Sequence, residues 1–266
     1  MHESTKAYKR LLSVVLLVAI CIASVPSAYA AEVSEDTMDT ELRSRGYPQT
    51  YLDCIPSTVK ESLYNKPNLE FEGATVSCYN EDGSYDEYDI SADGAMALGQ
   101  IPVADLTFVI GVARYSNSGN VLITFSYEWN NIPVNRYSDV MVVSWDPEIF
   151  ELMDSGFHRY DKYNNYDYNG IVYTDDPGYY SASNCDVSWR AELCKSPDVI
   201  SLYGHGEFLL APKVSTYTNT FYAYYIHAKK NVNISVSLGP LGSLSFSTGE
   251  ESSDKRGIHR IYTFPS

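Results

Sequence analysis

Along this chain the spacing of apolar residues changes once, and the change divides the sequence. In "RGYPQTYLDCIPSTVKESLYNKP", Leu52, Ile55, Val59 and Leu63 recur every three or four residues, the spacing of one helical face. Pro56 interrupts the run, which predicts two short helices with a bend. Thr58 and Glu61 fit a capping box at the start of the second helix, and Pro67 closes it. The stripe is narrow and one-sided, the mark of a helix packed on a sheet more than of one offered to a partner. Upstream, residues 31–40, "AEVSEDTMDT", are polar and acidic and read as loose.

From residue 69 the period becomes two. "LEFEGATVSCY", "DLTFVIGVARY", "NVLITFSYEW", "SDVMVVSW", "NGIVYT", "CDVSWR", "GEFLLAPKVS", "TNTFYAYYIHA", "NVNISVSL", "SLSFST" and "GIHRIYTF" are rich in β-branched and aromatic residues. Turn clusters such as "NEDGS", "SNSGN", "DDPG" and "GPLG" separate them. About eleven short strands without a helix-length pattern between them predict a mainly β protein. The expected architecture is an antiparallel β-sandwich, or barrel-like, domain over residues 69–266, with a short-helical segment at 31–68. The stretch 157–180, "FHRYDKYNNYDYNGIVYTDDPGYY", reads as an exposed loop system.

The pair "NVNISVSL" and "SLSFST" (within 231–248) has one apolar and one hydroxyl-rich face. Pore hairpins share this alternation, and so do strands laid on a core. The arms are shorter than the 9–11 residues of a spanning strand, so a core hairpin is expected and a membrane-active one is the alternative.

Residues 1–30 combine Lys6, Lys9 and Arg10, the apolar run "LLSVVLLVAICIASV" and the small-residue site "AYA", the three parts of a cleavable signal peptide. Ile20 before Cys21 is too large for a lipidation site. Secretion is therefore expected. The whole chain carries 19 basic and 34 acidic residues, a net of −15, and losing the leader makes the remainder more acidic still. That balance repels phosphate backbones and anionic lipid surfaces, so neither nucleic acid nor stable membrane association is expected. In an exported chain Cys54, Cys78, Cys185 and Cys194 are disulfide candidates. Cys185 with Cys194, which close a short loop, and Cys54 with Cys78 are the expected pairs.

"RGYPQTYLD" and "WNNIPVNRYSDVMVVSWD" resemble segments of small exported proteins of Gram-positive bacteria that have no assigned activity. The resemblance implies an extracellular bacterial origin and no reaction.

Candidate chemistry is sparse. Asp89, Ser91, Asp93 and Gly94 partly match a calcium loop, but its twelfth position is Gln100 in place of a bidentate Glu. An Asp-Gly turn fits better, and no metal site or cofactor is expected. His205, in "YGHGEF", is a candidate general base, but it reads as a turn histidine, and H-E-x-x-H and G-x-S-x-G are absent. Tyr160, Tyr163, Tyr166, Asp167, Tyr168, Tyr179 and Tyr180 form a possible ligand-binding loop, since aromatic faces stack on sugars while Asp bonds hydroxyls. The leading expectation is an extracellular binding module without catalysis, its ligand a glycan or a protein. A pore-forming protein and a hydrolase assembled in space are the alternatives.

Overall fold

The computed structural model describes residues 33–79, 85–91, 105–163, 171–175, 180–182, 185–193, 197, 199–231, 233–239 and 241–264. The chain forms two compact units, Met1–Thr37 and Met38–Ser266. The signal-peptide expectation lies outside the described residues.

Three helices come first: α1 (Glu35–Ser44), α2 (Gln49–Leu52) and α3 (Ser57–Tyr64). The strands are β1 (Leu69–Tyr79), β2 (Tyr85–Ser91), β3 (Leu106–Tyr115), β4 (Val121–Trp129), β5 (Ser138–Ser144), β6 (Phe150–Tyr163) and β7 (Ile171–Asp175). They continue with β8 (Tyr180–Ala182), β9 (Asp186–Glu192), β10 (Val199–Pro212), β11 (Tyr217–Ala228), β12 (Ser235–Leu238), β13 (Leu244–Thr248) and β14 (Ser253–Phe264). One sheet runs β2-β1-β3-β4-β10-β6-β7, a second β14-β11-β5-β9-β8, and β12 and β13 form a separate hairpin. The described pairings, β3 with β4 and β5 with β9 among them, are antiparallel, and the two large sheets stack as a sandwich.

The apolar alternation of each strand sorts its side chains into layers. On β4, Ile123, Phe125 and Tyr127 face the inter-sheet core, where they meet Met141, Val143, Trp189 and Phe221 of the other sheet. Leu122 of the same strand faces the other way, into a second core with Leu52, Val59 and Leu63 of the helices. The second sheet is likewise covered on its outer face: Val140, Val142, Ile226 and Ala228 pack beneath Ile234 and Leu238 of the hairpin segment. Four layers result, and they explain why "VMVV" of β5 is continuously apolar: both of its faces are buried. Each buried Leu or Val contributes about 1.5–3 kcal/mol.

The bend at Pro56 separates α2 from α3 as expected, and Leu52, Ile55, Val59 and Leu63 are buried together. The capping box at Thr58 and Glu61 does not form. The helix begins one residue earlier, at Ser57, and the Pro56 carbonyl accepts from the amides of Val59 and Lys60 at 2.9 and 3.2 Å, with no side-chain cap. Residues 31–40 were expected to be loose, yet α1 starts at Glu35. Glu35 and Asp36 in its first turn and Arg43 in its last suit the helix dipole, and Met38 and Leu42 are buried.

Docking of α2 needs a glycine. A Cβ at Gly111 on β3 would lie 2.5 Å from the Tyr51 hydroxyl and 2.7 Å from Thr124 Oγ1. Through that gap Tyr51 reaches the sheet, and its hydroxyl and that of Thr124 lie 3.2 Å apart as a hydrogen-bonded pair.

The hairpin is an outer layer docked on the second sheet. Val236, Leu244 and Phe246 are half-buried. Ser144 Oγ donates to the Gly239 carbonyl (3.0 Å), Arg190 donates to that of Ile234 (3.2 Å), and Asp186 accepts the Leu238 amide (2.8 Å). The tip Leu241, 83% exposed, stands clear of this layer.

Candidate functional site

An open groove of about 940 Å³ lies between the helical layer and the start of β1. Its shape begins with a helix stop. Gly46, at φ +87°, ends α1, with Gly46 N–H bonded to the Arg43 carbonyl and Tyr47 N–H to that of Leu42. This paired closure is the Schellman motif, which favours glycine because the left-handed conformation burdens any side chain. It fixes Arg45, the residue before the glycine, against the end of α3. Arg45 donates to the carbonyls of Leu63 (3.1 Å), Tyr64 (3.0 Å) and Lys66 (3.0 Å), at and just beyond the end of α3. Its Nε pairs with Glu41 at 3.3 Å, and the guanidinium sits 5.8 Å from the Tyr64 ring centre.

Beyond α3 the chain turns at Asn68, a non-glycine residue at φ +66°, a conformation that Asn tolerates better than most. The Asn68 carbonyl accepts the Ser116 amide at 3.0 Å, which clamps the turn to the β3–β4 connection. Tyr64, Asn65, Asn68, Glu70, Ser44 and Ser116 then line the groove. Among the described residues the side chains of Asn65, Asn68 and Glu70 and the Tyr64 hydroxyl make no hydrogen bond. Sequence reasoning missed this site because its residues come from three separated stretches. The available signal was Gly46, flanked by Leu42 and Tyr47, which marks the end of a helix in a segment read as loose.

A second cluster ties α3 to β10. Ser62 Oγ donates to Glu207 at 2.6 Å, and Lys66 Nζ donates to both Glu207 oxygens at 2.9 and 3.0 Å and to Ser62 Oγ. Lys66 and Glu207 border a cavity of about 220 Å³ floored by Leu122, Phe208 and Leu209. Burial raises the Glu207 pKa, but the Ser62 hydroxyl and the Lys66 ammonium outweigh it, and the carboxyl lies below its ordinary value. His205 is not a turn residue: it sits within β10 between β4 and β6, only 2% exposed, because "YGHGEF" lies in the middle of the strand. Ser62 bonds Glu207 and Lys66, so its hydroxyl is committed to that ion pair. A carboxylate held ionised by an ammonium is also a weak base.

The third cluster is buried between the sheets. Asp139, 0% exposed, accepts the Tyr225 hydroxyl at 2.5 Å and the Ala228 amide at 2.9 Å, and lies 3.0 Å from His227 Nδ1. Trp129 Nε1 donates to the Tyr225 oxygen at 2.9 Å. Burial and the Asp139 charge hold the Tyr225 hydroxyl far above its ordinary pKa.

Other expected site residues fare unevenly. Tyr166, Asp167, Tyr168 and Tyr179 lie outside the described residues. Tyr160 and Tyr163 belong to β6 and Tyr180 to β8, so part of the expected loop is strand; backbone pairing with β10 and β9 carries these polar segments into the sheets. Asp93, Gly94 and Gln100 lie outside the described residues, while Asp89 on β2 accepts Thr75 Oγ1 (2.7 Å) and pairs with Arg260 (3.3 Å). Among the described residues no group of three or more His, Cys, Asp or Glu could hold a metal ion, and no helix is long and apolar enough to cross a membrane. Cys54 and Cys78 are free thiols. The expected Cys54–Cys78 bond is not formed: Cys54 Sγ instead donates to the Thr50 carbonyl at 3.0 Å. Burial first, then the neighbouring Cys78 thiol and the Asp53 charge, push Cys54 up to about 12. Burial pushes Cys78 up to about 11. Cys194 lies outside the described residues.

No family model matches the sequence, and neither does any curated protein. Among solved structures the chain is similar to a BspA C-terminal domain variant at 8% identity and TM-score 0.31, over 71% of this chain and 46% of that one. The Streptococcus agalactiae AgI/II polypeptide BspA C-terminal domain follows at 8% identity and TM-score 0.28, over 59% and 70%. The collagen adhesin CNA from S. aureus matches at 10% identity and TM-score 0.21, over 75% and 80%. The chain spans about half the length of the first two BspA structures it matches. No residue of the groove takes a role from these likenesses, which are too distant to carry one.

Proposed function

We propose that this chain is an exported, extracellular binding module that holds its ligand in the groove between α1, α3 and β1. One observation carries the reading: the groove presents amide, phenol and carboxylate groups that make no hydrogen bond to another described residue. Polar groups left open in a wide concavity are what a ligand recognises. Residues 1–30 supply the export signal, and the acidic remainder supports solubility outside the cell. Export also favours a bond between Cys185 and Cys194. A ligand glycan or protein is consistent with this setting.

The test uses the mature chain on panels of extracellular polysaccharides and matrix proteins, beside an Asn65→Ala/Asn68→Ala variant. Binding that the variant loses supports the groove. Binding that the variant keeps places the ligand elsewhere, and empty panels overturn the reading.

A further inference from the structure

The groove's chemistry narrows its occupant, and we infer that it takes an uncharged oligosaccharide. This inference rests on the binding-module reading and goes one step beyond it.

Charge removes the first class. Among the described residues Arg45 is the one cation lining the groove, and three main-chain carbonyls and Glu41 occupy its guanidinium. Glu41 and Glu70 add negative charge in a chain already at −15. An anionic ligand would meet repulsion and no unspent donor of positive charge. Burial removes the second class. Leu69 lines the groove but is 0% exposed, which leaves Pro67 and the Tyr64 ring as its apolar surface among the described residues, little for the apolar anchor on which hydrophobic peptides and lipids depend. A basic peptide would use Glu70 alone, since Glu41 is paired with Arg45.

A neutral saccharide satisfies all of these groups. Its hydroxyls donate and accept, matching the amides of Asn65 and Asn68, the Glu70 carboxylate and the Tyr64 hydroxyl. Tyr64 also offers an aromatic ring with an apolar body and a polar tip. Arg45 lies against that ring and holds the end of α3 in place, so the platform is built before the ligand arrives. A volume of about 940 Å³ is at the upper end of small-ligand sites, which run to about 1,000 Å³, and leaves room for several sugar units.

The experiment is an NMR titration of the ¹⁵N-labelled mature chain with three probes: neutral chitin- and cellulose-derived tetrasaccharides, a sulfated oligosaccharide and a short oligolysine peptide. The inference expects the neutral sugars to shift the amide signals of residues 64–66, 68–70 and 116, with Tyr64→Ala weakening binding about tenfold or more. The sulfated probe should leave those signals in place. Shifts at these residues caused by oligolysine or the sulfated probe, and not by neutral sugar, would overturn the saccharide assignment while leaving the groove as a binding site. Silence of the groove signals to all three probes overturns the saccharide assignment and leaves the binding-module reading to its own panels. Neutral-sugar binding that Tyr64→Ala leaves unchanged also overturns the assignment, since the ring is its platform.

Discussion

Replacing Asp139 should unfold this protein more readily than any surface change, and the reason is countable. Its carboxylate takes the Tyr225 hydroxyl and the Ala228 amide and lies against His227 Nδ1, in a place with no access to water. Asp139→Ala leaves the Ala228 amide without its acceptor and strips the Tyr225 hydroxyl of its own, each at about 1–3 kcal/mol. Losses within one network do not add in full, and breaking a buried charged network costs about 3–5 kcal/mol in total. Against a typical native stability of about 5–15 kcal/mol that is a large fraction. At roughly 2–4 °C per kcal/mol for a domain of this size, Tm should fall by about 6–20 °C. Asp139→Asn keeps the volume and one acceptor oxygen but turns an N–H₂ toward two donors, so its cost should be smaller, about 1–3 kcal/mol. Urea unfolding followed by the fluorescence of Trp129, Trp145 and Trp189, all buried, reads both variants, with the m-value expected to stay constant. An Asp139→Ala protein within about 0.5 kcal/mol of the parent, the usual range for surface changes, would show that the network contributes nothing net.

Gly111→Ala should destabilise by about 1–3 kcal/mol, the usual cost of overpacking, and adding Tyr51→Phe should recover part of it by removing the oxygen at 2.5 Å; thermal melts of the single and double variants decide. The Glu207 tether is fully present at neutral pH because its folded pKa is depressed. Its contribution should persist down to the ordinary glutamate value of about 4.3 and disappear as pH falls through the lower folded value. Glu207→Gln should therefore lose stability relative to the parent near pH 7, with the gap closing in acid, as seen by urea midpoints across pH. Cys54 and Cys78, with thiols pushed up to about 12 and about 11, should resist iodoacetamide at pH 8 in the folded protein and react fully in urea, as counted by mass. The same spectra, with and without reduction, test the Cys185–Cys194 bond: a mass unchanged by reduction would exclude it.

How much was legible in the sequence follows from where each element finds its stability. β3, β4 and β5 are buried on both faces, so their Val, Ile and Phe content announces them. The helical stripe through Leu52 and Leu63 is legible because it faces a single core. β6 was invisible: "FELMDSGFHRYDKY" carries charge and glycine, and it is a strand because β10 and β7 pair with its backbone on either side. Propensity gives way to partners of that kind. β2 was lost for the same reason, "YDEYDIS" being a charged strand at the edge of its sheet. The groove could not be read from spacing at all, because Arg45, Tyr64 and Ser116 meet only after the helices dock on the sheet.

The place of β10 also governs how the chain comes together in time. It stands between β4 and β6 in the larger sheet, where Leu210 pairs with Val121 and Leu202 with Trp129. Those partners are made long before β10 emerges during synthesis, so the loop that must close is long and the contact order high, which slows folding. Until Val199–Pro212 is complete, β4 keeps one edge open along a strand whose side chains are almost all buried in the finished fold, and such an edge recruits other chains. Fragments ending before Val199 should accumulate as aggregates, while a chain that stays unfolded until β10 arrives remains threadable through a translocation channel.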